Sequence, residues 1–142
     1  MSLALLKEAH EWFHDEHEYI YRPDSNIGYI DRWQILKPVN GQFKGDCEDT
    51  ALTKMDHMLG KGAYHDDLYI VRCATEMCPR DKPFDHAILL FIDSNGRWWF
   101  CDQRYAQYGV ISIRDLRGYN LYDAVSLDNL RGVGKPERIG MI

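Results

Sequence analysis

The sequence has no long apolar run, no excess of basic residues and no closely spaced cysteine pair, and each absence removes a class of protein. Its longest apolar run, Ala87 to Ile92, is strand-sized, whereas a membrane-spanning helix needs about 18 residues or more. Seventeen Lys plus Arg stand against 22 Asp plus Glu, a formal charge of −5, so there is no basic stripe for a nucleic-acid backbone. The four cysteines, Cys47, Cys73, Cys78 and Cys101, include no Cys-x-x-Cys, which argues against a zinc ribbon and against a disulfide framework. Met1 to Glu8 carries none of the basic, apolar and small-residue pattern of a signal peptide, so a cytoplasmic location with reduced thiols is expected. Without repeats, low-complexity tracts or a linker, residues 1–142 read as one domain. A chain 45% apolar and 27% charged has the makings of an ordinary hydrophobic core, and its natural partner is a peptide or protein substrate.

Leu5, Leu6, Ala9, Trp12, Phe13, Tyr19 and Ile20 recur at three- and four-residue steps and predict an amphipathic helix over residues 3–20. Ser25 to Gln42, with Gly28, Pro38, Asn40 and Gly41, reads as a loop with at most a helical turn near Trp33 to Leu36. Asp46 is a good N-cap, Glu48 and Asp49 suit the positive first turn, and Ala51, Leu52, Met55, Met58 and Leu59 carry a helix to Gly60. Leu68 to Ala74, Ala87 to Ile92, Arg97 to Cys101 and Val110 to Ile113 read as strands of an antiparallel sheet; the remaining tail has no assignment.

Gly45-Asp46-Cys47-Glu48-Asp49 places a cysteine at the first turn of a helix, where backbone N–H groups favour a thiolate and can serve a developing oxyanion. His86 opens one strand and Asp102 closes the next. If Ser94-Asn95-Gly96 is a three-residue turn, Asp93 faces Arg97, Ile88 faces Asp102, and His86 and Asp102 share a face diagonally. A two-residue turn would send them to opposite faces.

Gly-Asp-Cys-Glu-Asp-x-Ala at a helix start, then an Asp-His-Ala strand, then a strand ending in Asp, resembles the bacterial transglutaminase-like cysteine peptidases of the papain-like superfamily. The resemblance spans Trp33 to Tyr105 and departs from the family's usual aromatic at Thr50. It implies an α+β, papain-like or transglutaminase-like core with the nucleophile helix packed on an antiparallel sheet. It further implies Cys47 as nucleophile, His86 as general base and acid, and Asp102 as the orienting group of a cysteine peptidase or amidase working through a thioester. Gln42 resembles the oxyanion glutamine found upstream of the cysteine in papain-like enzymes. Trp33, Gln34, Tyr105 and Tyr108 are expected to line the cleft.

Asp46, Glu48 and Asp49 should oppose a thiolate beside them, and carboxylates are the ligands Ca²⁺ prefers; members of the family with this acidic core can use calcium. No other cofactor is required. Three further readings compete: acyl transfer to an amine by the same triad, a non-catalytic binding module, and a zinc hydrolase through His10-Glu11-x-x-His14 with His17 a turn on.

Overall fold

The computed structural model describes residues 3–22, 34–104 and 109–126. The chain is α+β, with α1 (Leu3–His14), β1 (Glu18–Tyr21), β2 (Gln42–Gly45), α2 (Cys47–Gly60), β3 (Leu68–Thr75), β4 (His86–Ile92), β5 (Trp98–Cys101), β6 (Val110–Ser112) and β7 (Tyr119–Val125). The last five strands form one antiparallel sheet in the order β6-β5-β4-β3-β7, and β1 pairs in parallel with β2.

Alternation along the strands divides the core. Ala87, Leu89, Phe91, Ile70 and Cys101 point to the face covered by α1 and α2, where Leu6, Ala9, Cys47, Ala51, Met55 and Met58 meet them. Ile88, Leu90, Phe100, Val71, Cys73, Leu121 and Ala124 fill the other face. A third cluster, Phe13, Leu36 and Phe43, ties the end of α1 to the segment leading into α2, with the two phenyl rings stacked 4.3 Å apart.

The first helix is shorter than its periodicity predicts. It stops at His14, and Tyr19 and Ile20 belong to β1, where Glu18 to Tyr21 is paired with Gln42 to Gly45. Spacing alone allowed both outcomes; the β-prone run and the backbone bonds of β2 decide for the strand. The Tyr19 hydroxyl donates to the Gly45 carbonyl at 2.8 Å. Gln34 to Leu36 is not helical, and its N–H groups are held instead by the Asp49 carboxylate (3.0 Å) and the Thr53 hydroxyl (2.7 Å) of α2. A Cβ at Gly45 would lie 2.9 Å from Leu36 and from Asp49 Oδ2, so a larger residue at this junction would displace those two side-chain ends. Val110 to Ser112 confirms the expected fourth strand, while β7 comes from the unassigned tail.

The zinc reading finds no support on the seam between the helices among the described residues. His10 is buried with its Nδ1 3.2 Å from Lys54 Nζ, so the lysine amine occupies the place of a metal bound through that nitrogen. His17 lies beyond the helix, its Nδ1 bonded to the Trp12 carbonyl at 2.7 Å, and no metal-holding group of three His, Cys, Asp or Glu exists among the described residues. His14 Nε2 is buried without a hydrogen-bond partner among those residues. Burial first, then the charges of Lys54 and His10, lowers the His14 pKa to about 2.

A histidine with a folded pKa depressed below its unfolded value of about 6.5 contributes stability that is present above pH 6.5 and is lost as pH falls toward 2. His14→Leu should therefore lose less stability than wild type between pH 7 and pH 4 in urea titrations. The Asp49 carboxyl, lifted by burial to about 6, acts with the opposite sign in both proteins, so the difference isolates His14. Parallel pH curves for the two proteins would contradict the assignment.

Candidate active site

Cys47 is the first residue of α2 and is 5% exposed. The helix start is fixed by a reciprocal capping box: Asp46 Oδ1 accepts the Asp49 N–H at 3.1 Å and Asp49 Oδ2 accepts the Asp46 N–H at 3.3 Å. Asp49 Oδ1 also accepts the Gln34 N–H, so both oxygens of Asp49 serve the local fold. Glu48 is buried, and the Cys47 thiol donates to its Oε2 at 3.4 Å. Burial, the Glu48 charge and the Asp46 charge push the thiol well above its usual range, against a lowering contact with the Ala87 backbone. Desolvation and the neighbouring carboxylates thus act against the thiolate that a helix N-terminus favours.

The β4–β5 turn has the longer form. Asp93 N–H donates to the Arg97 carbonyl at 2.9 Å and Gly96 sits at φ +76°. Asp93 locks the turn by accepting the Asn95 and Arg97 N–H groups and the Trp99 indole. Leu89 then faces Cys101, and continuing the register sets Ile88 opposite Asp102. His86 and Asp102 share a face and are joined by a 2.7 Å hydrogen bond from Nε2 to Oδ1, with both side chains buried. Burial alone would raise the Asp102 carboxyl, but the bond and charge of His86, the Tyr119 phenol and the Arg104 N–H hold it below the usual carboxylate range. An ionised Asp102 only accepts, so Nε2 carries the proton and Nδ1 is the basic nitrogen.

Two partners of Asp102 were not legible in the sequence. The Tyr119 hydroxyl at the start of β7 donates to Oδ2, and the Arg104 N–H donates to Oδ1 at 3.2 Å. The Tyr119 ring lies 5.5 Å from the His86 ring.

Cys47 and His86 are close in the fold but not joined. The thiol lies against the backbone of Ala87, the residue after His86, while the pleat turns His86 toward the face of Ile88 and Leu90. The thiol's hydrogen bond goes to Glu48 and not to the imidazole. Gln42 is not brought to the cysteine: it opens β2 opposite Glu18, and its amide donates to Glu18 Oε2 at 3.0 Å. Gln34 contributes its backbone N–H to Asp49, while Trp33, Tyr105 and Tyr108 lie outside the described residues.

No protein-family model and no curated protein matches the sequence. Solved structures do. LapG of Legionella pneumophila in its calcium-bound form superposes with a TM-score of 0.64 and 19% identity over 88% of this chain and 65% of that one. A second LapG structure gives a TM-score of 0.64 and 18% identity over 92% of this chain and 73% of that one. The EGTA-treated form gives a TM-score of 0.63 and 19% identity over 87% and 63%. The chain thus spans somewhat under two thirds of the length of two of these neighbours. At this identity the likeness establishes architecture: the chain has the fold of LapG, a transglutaminase-like cysteine protease.

Proposed function

We propose that the chain is a thiol-dependent hydrolase of peptide or isopeptide-type amides, with Cys47 as nucleophile, His86 as general base and then acid, and Asp102 as the residue that orients the imidazole. The observation that carries this reading is the buried 2.7 Å His86–Asp102 bond, one strand residue from a cysteine at a helix start, on the fold of a cysteine protease. Asp102 fixes Nε2 as the protonated nitrogen, which leaves Nδ1 to work on the thiol.

In the reaction the Cys47 thiol leaves Glu48. The His86 imidazole, on the first residue of β4, swings around the strand end to meet the thiol, so that Nδ1 takes the thiol proton as sulfur attacks the amide carbon. The oxyanion forms beside the N–H groups of the first turn of α2. Nδ1 returns the proton to the departing amine, leaving a thioester, then takes a proton from the attacking water and gives it to the Cys47 sulfur as the C–S bond breaks and the acid is released. Because burial and Glu48 favour the neutral thiol, the cycle starts from thiol and imidazole rather than from a standing ion pair. An amine in place of that water would make the same site an acyl transferase. A binding module has no need of Cys47, His86 and Asp102 together.

A mixed peptide library incubated with the protein should yield new termini by mass spectrometry. Cys47→Ala should abolish them, and Asp102→Asn should slow them by roughly ten-thousandfold, since the wrong tautomer is then allowed. With a primary amine added, hydrolysis products should exceed amine adducts; the reverse assigns acyl transfer. Cleavage that survives Cys47→Ala would contradict the reading.

Calcium enters through the acidic helix start. Asp46, Glu48 and Asp49 are hard oxygen donors on either side of the cysteine, and Asp46 Oδ1 and both Asp49 oxygens also serve the capping box and Gln34. A cation held there would supply positive charge beside the thiol and favour its ionisation. The LapG structures in calcium-bound and EGTA-treated forms make calcium the ion to test. On this reading calcium chloride raises the thermal midpoint relative to EGTA in wild type and not in Glu48→Gln. Equal midpoints in wild type would leave the carboxylates as capping and first-turn charges only.

A further inference from the structure

Asp102 is gripped at both oxygens. Its Oδ1 takes the His86 Nε2–H at 2.7 Å and the Arg104 N–H at 3.2 Å, and its Oδ2 takes the Tyr119 hydroxyl. Asp102 follows β5 and Tyr119 opens β7, with β4 and β3 between those strands in the sheet. The phenol thus reaches over the ends of two strands to meet the carboxylate, passing beside the imidazole, 5.5 Å from it. Its own place is well determined. Tyr119 pairs with Thr75 at the end of β3, and Gly118 before it turns at φ +81°, a conformation that favours glycine. The Arg104 guanidinium covers the phenol ring at 5.4 Å and is held there by Glu76 at 2.6 Å.

We propose that Tyr119 is a positioning residue, whose phenol holds Asp102 Oδ2 so that Oδ1 stays on His86 Nε2. This rests on the hydrolase reading for its catalytic consequence, but the clamp itself is a property of the fold. A carboxylate buried at 2% exposure with one oxygen lacking a donor would rotate or take a proton, and either change releases the imidazole. Burial and the Asp102 charge raise the Tyr119 hydroxyl above its usual range, which keeps it a donor at neutral pH. The charged and titratable groups around the clamp among the described residues are Tyr119 on β7, His86 on β4, Cys73 on β3, Cys101 on β5, Lys54 on α2, Arg104 after β5, and Glu76 and Asp85 in the β3–β4 connection. Of these, only His86, Arg104 through its backbone and Tyr119 donate to the carboxylate.

The test follows the Asp102 carboxyl carbon and the His86 ring nitrogens by NMR in the full chain. In Tyr119→Phe the carboxyl titration should move up by about one pH unit, the scale of one lost hydrogen bond to a charged group, and the Nε2–H tautomer of His86 should lose population. Replacing Tyr119 with 3-fluorotyrosine keeps the shape and strengthens the donor, and should move the titration down. This second variant serves if Tyr119→Phe does not fold. A carboxyl titration and tautomer unchanged in either folded variant overturn the proposal. Neither readout needs turnover, so a chain that cleaves nothing yet shows both shifts loses the hydrolase reading and keeps the clamp. With an identified substrate, Tyr119→Phe should lower kcat with KM unchanged.

Discussion

The register between β4 and β5 governs the site, because His86 and Asp102 meet only if their side chains leave the sheet on the same face. That register is set outside the site, at the Asp93–Arg97 turn, where Gly96 takes a left-handed conformation and one aspartate collects two backbone N–H groups and an indole N–H. A slip of one residue would carry Asp102 to the α2 face and leave a buried histidine and a buried carboxylate without each other. With the register fixed, a 2.7 Å hydrogen bond satisfies both groups and fixes the tautomer of the imidazole.

The thiol is held by opposing forces of another kind. Capping by Asp46 and Asp49 sets where α2 begins and hence where Cys47 stands. The carboxylates that suit the helix dipole also lie beside the sulfur, and Glu48 takes its hydrogen bond. Helix capping and thiolate formation therefore pull against each other at one turn of backbone. In the proposed reaction, the consequence is a thiol that stays neutral until its proton passes to Nδ1.

Much of this was readable from the residues. Asp46, the acidic first turn and the periodicity from Ala51 to Leu59 specify α2, while Ser94-Asn95-Gly96 allows a three- or a two-residue turn, and only the Asp93–Arg97 pairing selects the longer one and with it the diagonal pairing of His86 with Asp102. What escaped depends on contacts distant in sequence. Tyr19 and Ile20 fit helical and strand spacing equally, and only pairing with β2 distinguishes them. The strand β7 hides a buried charge, Asp123, that is tolerable only because Arg72 lies opposite it, and a bulge at Arg72/Cys73 interrupts its pairing. Its first residue, Tyr119, has no local mark of a role at Asp102. Gln42 follows the same pattern: its resemblance to the upstream glutamine of papain-like enzymes implies an oxyanion donor, whereas parallel pairing of β1 with β2 sets its amide on Glu18.

The central claim is that Cys47 is a nucleophile driven by His86, and covalent acylation tests it without a known substrate. The protein is treated with p-nitrophenyl acetate and each cysteine peptide is weighed by mass spectrometry, in wild type and in His86→Ala. The account predicts a hydroxylamine-labile acetyl group on Cys47 in wild type that His86→Ala loses, with the half-buried Cys78 the same in both. Acetylation of Cys47 that is absent in wild type, or that persists undiminished without His86, would contradict it.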